Sequence, residues 1–305
     1  MTTALAYSLF ERHDGHTFAY KLLGRTRPAT PLVLVHGLSA VGLVDWLPLA
    51  AELAKHRPVL IFDNRGIGSS RAPKGKEGEK YTAGDMAQDV VELVKHLRFK
   101  EIDILGFSMG GMIVSTVLVS PSLPFKIRHA VLAATSAKPA HSDLLQAIPS
   151  PPSGKVMSLE ENKALVTPFI HVGYDPAFLQ NPQNKEMLDR RITESATTRR
   201  PARTVQHQIG VIAGYDVRKQ LRSIPETLPV LILHGKLDRS VYYSESAYLT
   251  RGVPHAQLLT FDGIGHMWYD YFTLSYWITL LNCFLNDGGD VASLVPPALP
   301  QTARL

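Results

Sequence analysis

Gly106-Phe107-Ser108-Met109-Gly110 stands between an apolar run, Glu101-Ile102-Asp103-Ile104-Leu105, and a helix-like run from residue 109 to about 120. The pattern G-x-S-x-G in a strand–turn–helix setting is the sequence form of a nucleophile elbow. Such a turn forces its serine into a strained backbone conformation and leaves no room for side chains two residues to either side. Glycine at 106 and 110 meets that demand. The serine oxygen is then presented above the sheet, at the positive N-terminal end of a helix. Without its flanks the pentapeptide would be an ordinary turn in a chain with 22 glycines. The strand before it and the helix after it make Ser108 the candidate nucleophile.

Outward from the elbow, strand-like and helix-like segments alternate. An opening pair at 7–10 and 17–23 flanks His13-Asp14-Gly15, and Pro31-Leu32-Val33-Leu34-Val35 is a continuous apolar run ending in His36-Gly37. Further buried strands are expected at 58–62, 129–134, 228–233 and 256–261, with helices at 82–98, 244–251 and 268–285. Continuous apolar strands alternating with amphipathic helices predict an α/β fold, a mostly parallel sheet covered on both faces. Residues 138–204 break the rhythm: no buried strand appears, Pro149-Ser150-Pro151-Pro152-Ser153-Gly154 interrupts the chain, and helical pieces follow at 159–167, 176–180 and 185–196. A helical insertion at 138–204 is expected, with the core at 1–137 and 205–286 and a flexible tail at 287–305.

Composition narrows the classes. The chain has 305 residues, 45% of them hydrophobic, and a formal net charge of +5 from scattered basic residues. No block is dense enough to read as a nucleic-acid or membrane patch. The pairs Arg190-Arg191 and Arg199-Arg200 read as solvated helix faces. Cys283 is the only cysteine and sits in an apolar run, so no intrachain disulfide is expected and the thiol reads as buried and inert. The first nine residues lack the basic start and apolar core of a signal peptide, and no run of ~18 apolar residues predicts a membrane span. Ala303-Arg304-Leu305 is a relaxed form of the Ser-Lys-Leu peroxisomal address, which an import receptor reads. Peroxisome and cytoplasm are both left open.

A serine hydroxyl needs a base. Among twelve histidines, His266 is singled out because it follows the last expected strand in the glycine-rich Phe261-Asp262-Gly263-Ile264-Gly265-His266. The base in turn needs a carboxylate to set its tautomer, and Asp238 follows another buried strand in His234-Gly235-Lys236-Leu237-Asp238. The order Ser…Asp…His fits this architecture. Asp262 and Asp270 flank His266 too closely to be independently positioned, and Asp143 is the next alternative. Backbone N–H groups of Met109, directly after the nucleophile, and Leu38, after the 31–35 strand, are the expected oxyanion donors. No metal-ligand spacing or cofactor motif is present.

These residues resemble the α/β-hydrolase superfamily over about residues 15–286. His36-Gly37-Leu38-Ser39, Asp63-Asn64-Arg65-Gly66-Ile67-Gly68-Ser69-Ser70, the elbow with Gly111, His234 to Asp238 and Gly265-His266 match in order and spacing. The resemblance is to the lipase/esterase, enol-lactone hydrolase and C–C-bond hydrolase group. It implies an eight-stranded sheet with a lid inserted after the sixth strand and a structural role for Arg65 in bracing its turn. Ser108 argues against the haloalkane dehalogenase and epoxide hydrolase branches, whose nucleophile is aspartate. The expected substrate is a small or medium carboxylic ester, lactone or thioester, in a pocket including Phe107, Phe169 and Trp268. The aromatic residues of the lid serve equally as its core. A C–C hydrolase or perhydrolase on the same triad, and a non-catalytic ligand-binding protein of this fold, are the alternatives.

Overall fold

Leu32 and Leu34 face one hydrophobic cluster while Val33 and Val35 face another. That alternation of a strand buried on both sides organises the molecule. A computed structural model describes residues 7–150 and 156–297; Ala303-Arg304-Leu305 and residues 151–155 lie outside the described residues. The strands are β1 Ser8–Glu11, β2 Thr17–Leu23, β3 Leu32–Val35, β4 Val59–Phe62, β5 Glu101–Phe107, β6 Lys126–Ala133, β7 Val230–Gly235 and β8 Gln257–Phe261. They form one eight-stranded sheet in the order β1-β2-β4-β3-β5-β6-β7-β8. β2 runs antiparallel to β1 and β4, and the remaining pairs are parallel.

Helices Ala83–His96 and Met109–Leu118 cover one face, and Leu274–Asp287 covers the other with the short helix Leu49–Leu53. Every residue of β3, β4 and β7 is buried. A Val or Leu side chain so buried contributes about 1.5–3 kcal/mol. Strand order reverses at β3, with β4 on one side and β5 on the other, and such a switch point opens a crevice at the strand C-termini. Arg65 braces the loop after β4 as the resemblance implies: its Nε and Nη2 meet both oxygens of Asp89 at 2.6 and 2.7 Å.

Between β6 and β7 come helices Leu159–His171, Pro176–Gln180, Lys185–Thr197 and Ala202–Ala213. The first starts at Ser158, whose hydroxyl accepts from Glu161 N–H while Glu161 reaches back, a capping box. It continues past Pro168, because packing of Phe169 and Ile170 against neighbouring clusters offsets the lost backbone bond. The boundary expected at 204 falls inside the helix Ala202–Ala213, which carries Val205 in one cluster and Val211 in the core.

The expected flexible tail is docked in its first part. Gly288, at φ 62°, ends the last helix, and Val291 is buried in the cluster containing Phe284. Gln257 Nε2 donates to the carbonyls of Gly288 and Gly289, and Tyr276 OH donates to that of Leu294. A single buried valine and these bonds outweigh the glycine and proline content that suggested a free tail.

Candidate active site

Ser108 caps the helix Met109–Leu118 at φ 57° and ψ −126°, left-handed and strained for a residue with a side chain. Its surroundings over-determine the turn: Ser108 N–H donates to Ala133 O at 3.0 Å, and Thr135 Oγ1 donates to Ser108 O at 2.7 Å. A Cβ on Gly106 would lie 2.4 Å from Gly110 O, and one on Gly110 would lie 2.0 Å from Val35 O. Both glycines are sterically required.

Asp238 and His266 emerge from the loops after β7 and β8. His266 Nδ1 lies 2.8 Å from Asp238 Oδ2, which leaves Nε2 as the nitrogen available to Ser108. Asp238 Oδ1 accepts N–H bonds from Ser240 and Val241, each at 2.8 Å. His234, fully buried, brings Nε2 to 3.2 Å from Asp238 Oδ2 and 2.9 Å from Val241 O. Both neighbours are acceptors, so that nitrogen carries a hydrogen. Burial alone would raise the Asp238 carboxyl, but the His266 charge and the bonds from His234 and His266 outweigh it and hold it at about 2. The rival carboxylates are engaged elsewhere: Asp262 with Lys236, Asp270 with Arg191 and Asp143 with Arg239.

Ser108, His266, Phe107, Leu38, His36 and Phe169 line one cavity of about 80 Å³ at the strand C-termini. Leu38 and Met109 present backbone N–H groups that donate to no other group among the described residues, and Met109 is the first residue of its helix. Trp268 departs from the expectation. Its indole is fully buried, 4.7 Å from Trp277 and edge-on to Phe107, behind the cavity and off its wall. An apolar ring of that size gains more from the core than from a wet pocket. Among the described residues, no three His, Cys, Asp or Glu side chains gather as a metal site needs, and no helix is long and apolar enough to cross a membrane.

A family model described as the alpha/beta hydrolase fold matches residues 30–272. The chain belongs to the alpha/beta hydrolase family. It is an enzyme of that hydrolase family, and it is 25% identical over 252 residues to a putative carbamate hydrolase of Agrobacterium fabrum, covering 81% of this chain and 90% of the relative. The fold matches an esterase from Rhodococcus with a TM-score of 0.73 at 21% identity, covering 95% of this chain and 100% of that one. An enol-lactonase from Burkholderia xenovorans matches with a TM-score of 0.71 at 20% identity, covering 92% and 100%.

In this alpha/beta hydrolase the helices between β6 and β7 supply much of the cavity wall, and residues that sequence reasoning missed lie there. Arg191 and Arg200 do not belong to solvated faces. Arg191 is buried, pairs with Asp270 at 2.7 Å and donates to Asp45 O. Arg200 donates to Ser39 O at 2.7 Å and to Asp45 Oδ2 at 3.0 Å. Gln208 Oε1 accepts from Ser39 N–H at 2.8 Å, so the two peptide units that flank Ser39 are each held by a side chain of the insertion. His36 accepts from Gly37 N–H at Nδ1 and meets Tyr269 OH at Nε2, and its burial pushes its pKa down to about 3, keeping it neutral. The His-Gly pairs at 36–37 and 234–235 end strands alike and offered a signal for both histidines; nothing in the sequence singled out Gln208.

Proposed function

We propose that the protein is a serine hydrolase acting on a small or medium carboxylic ester, lactone or thioester through Ser108, His266 and Asp238. The observation that carries this reading is the 2.8 Å His266–Asp238 bond beside a strained Ser108 on one shared cavity. Ser108 Oγ attacks the carbonyl carbon as His266 Nε2 takes its proton, and the N–H groups of Leu38 and Met109 receive the oxyanion. Collapse expels the leaving group, which takes the proton from His266. Water then attacks the acyl-serine with His266 again as base, the acid departs, and Ser108 recovers its proton. The likeness to carbamate hydrolase, esterase and enol-lactonase chains supports acyl transfer to water, and the cavity of about 80 Å³ favours short acyl groups.

A fluorophosphonate probe is expected to label Ser108 and to spare Ser108→Ala. On p-nitrophenyl esters the variant should lose roughly 10⁴-fold or more in kcat/KM. An unlabelled serine in folded protein would exclude the reading. Where Leu305 carries the free carboxylate, Ala303-Arg304-Leu305 is further proposed to direct import into peroxisomes; a tagged protein that keeps its location after deletion of the tripeptide refutes this.

A further inference from the structure

A second cavity, of about 450 Å³, lies beside the one that holds Ser108. The two share four wall residues, Ser39, Phe169, Ser195 and Arg200. The inner space of about 80 Å³ holds a few water-sized groups, enough for a short acyl chain and its carbonyl but not for both halves of an ester. The outer one falls within the roughly 300–1,000 Å³ of ordinary small-molecule sites.

We propose that this outer chamber is the leaving-group site, and that it takes an uncharged alcohol of medium size with a hydrocarbon body and few polar atoms. The inference rests on the serine hydrolase reading of the inner cavity. The chemistry of the lining selects the class. Leu165, Val166 and Val205 offer apolar surface, while Asn162 and Gln206 bring neutral amides. Among the described residues Arg200 is the one charged side chain of the lining, and it is committed: Nη2 to Asp45, Nε to Ser39 O, and Nη1 to the carbonyls of Glu194 and Ser195. An anionic or cationic leaving group would be desolvated there with no partner of its own.

Access runs past Phe169. Of the four shared residues it is the one with an apolar side chain, while Arg200 is bonded along its whole guanidinium. Its ring packs against the apolar cluster of Leu38 and Val205 and carries no hydrogen-bonding atom, so turning it opens one space to the other without breaking a side-chain hydrogen bond.

The test uses acetate esters, which keep the acyl half constant. Wild-type protein is expected to prefer 2-phenylethyl acetate over methyl acetate by about tenfold or more in kcat/KM. Ala196→Phe, on a half-buried lining residue, should remove that preference while methyl acetate turnover stays within about twofold. Ala202→Phe, at an exposed position of the same lining, repeats the measurement should the first variant fold poorly. Equal loss on both esters, or no loss on either, overturns the chamber assignment, as does faster turnover of acetylcholine or acetyl-CoA than of the neutral esters. Fluorophosphonate labelling of Ser108 separates the two failures: labelled protein indifferent to chamber filling loses only this assignment, whereas unlabelled folded protein loses the hydrolase reading too.

Discussion

A backbone N–H stabilises an oxyanion only if the chain around it is held still, and at Ser39, the residue after Leu38, two side chains hold the flanking peptides. Gln208 is fully buried and receives Ser39 N–H, while Arg200 donates to Ser39 O. Ser39 itself has a φ of 60°, a conformation that neighbours must enforce. Gln208→Ala should therefore act through position rather than contact. It is expected to lower kcat about tenfold with KM within about twofold, and to slow fluorophosphonate labelling in parallel. Steady-state kinetics on a short acyl ester checks this, and an unchanged kcat with a lower melting temperature would reduce Gln208 to a structural role. Ser108, Asp238 and His266 were legible because each stands at a strand end within a glycine-bearing motif. Gln208 was not, since a glutamine in the middle of a helix looks the same whether it faces water or a loop 169 positions away.

The strands were legible for a plain reason: β3 and β4 throughout, and β7 from Val230 to Leu233, are apolar, and only burial on both faces explains such runs. The helices between β6 and β7 carry mixed patterns, and their partners come from elsewhere in the chain. Arg190 and Arg191 illustrate the difficulty. They are adjacent and chemically identical, yet Arg190 stays half-exposed beside Glu194 while Arg191 is buried against Asp270. Their helix also ties the insertion to the loop of the base. Arg191 and Tyr174 both bond Asp270, Met267 N–H donates to Gly173 O, and Tyr271 OH donates to Asp175. Residues 173–191 are thus fastened to the His266 loop, and these bonds must break before that part of the insertion moves away from the base.

Acid should weaken the folded protein before it protonates the Asp238 carboxylate. His36 is held neutral, with a folded pKa of about 3 against an ordinary 6.5. Below pH 6.5 the unfolded chain takes up a proton that the native state refuses, so stability falls as pH drops toward 3. The effect is at most on the order of 5 kcal/mol. Asp238, depressed from 3.8 to about 2, adds a loss confined to that lower window and stays ionised wherever the enzyme is folded and active. Urea denaturation at pH 7 and pH 4 is expected to show a smaller drop in His36→Gln than in wild type; equal drops would assign the acid sensitivity to other groups. Apolar runs and glycine spacing, being local consequences of burial and backbone sterics, determined the sheet, the elbow and the strand-end positions of the candidates Ser108, Asp238 and His266 from sequence alone. The charge state of His36, the clamps on Ser39, the burial of Arg191 and Trp268, and the paired cavities were decided only by tertiary structure, because each depends on which distant surface removes a polar group from water.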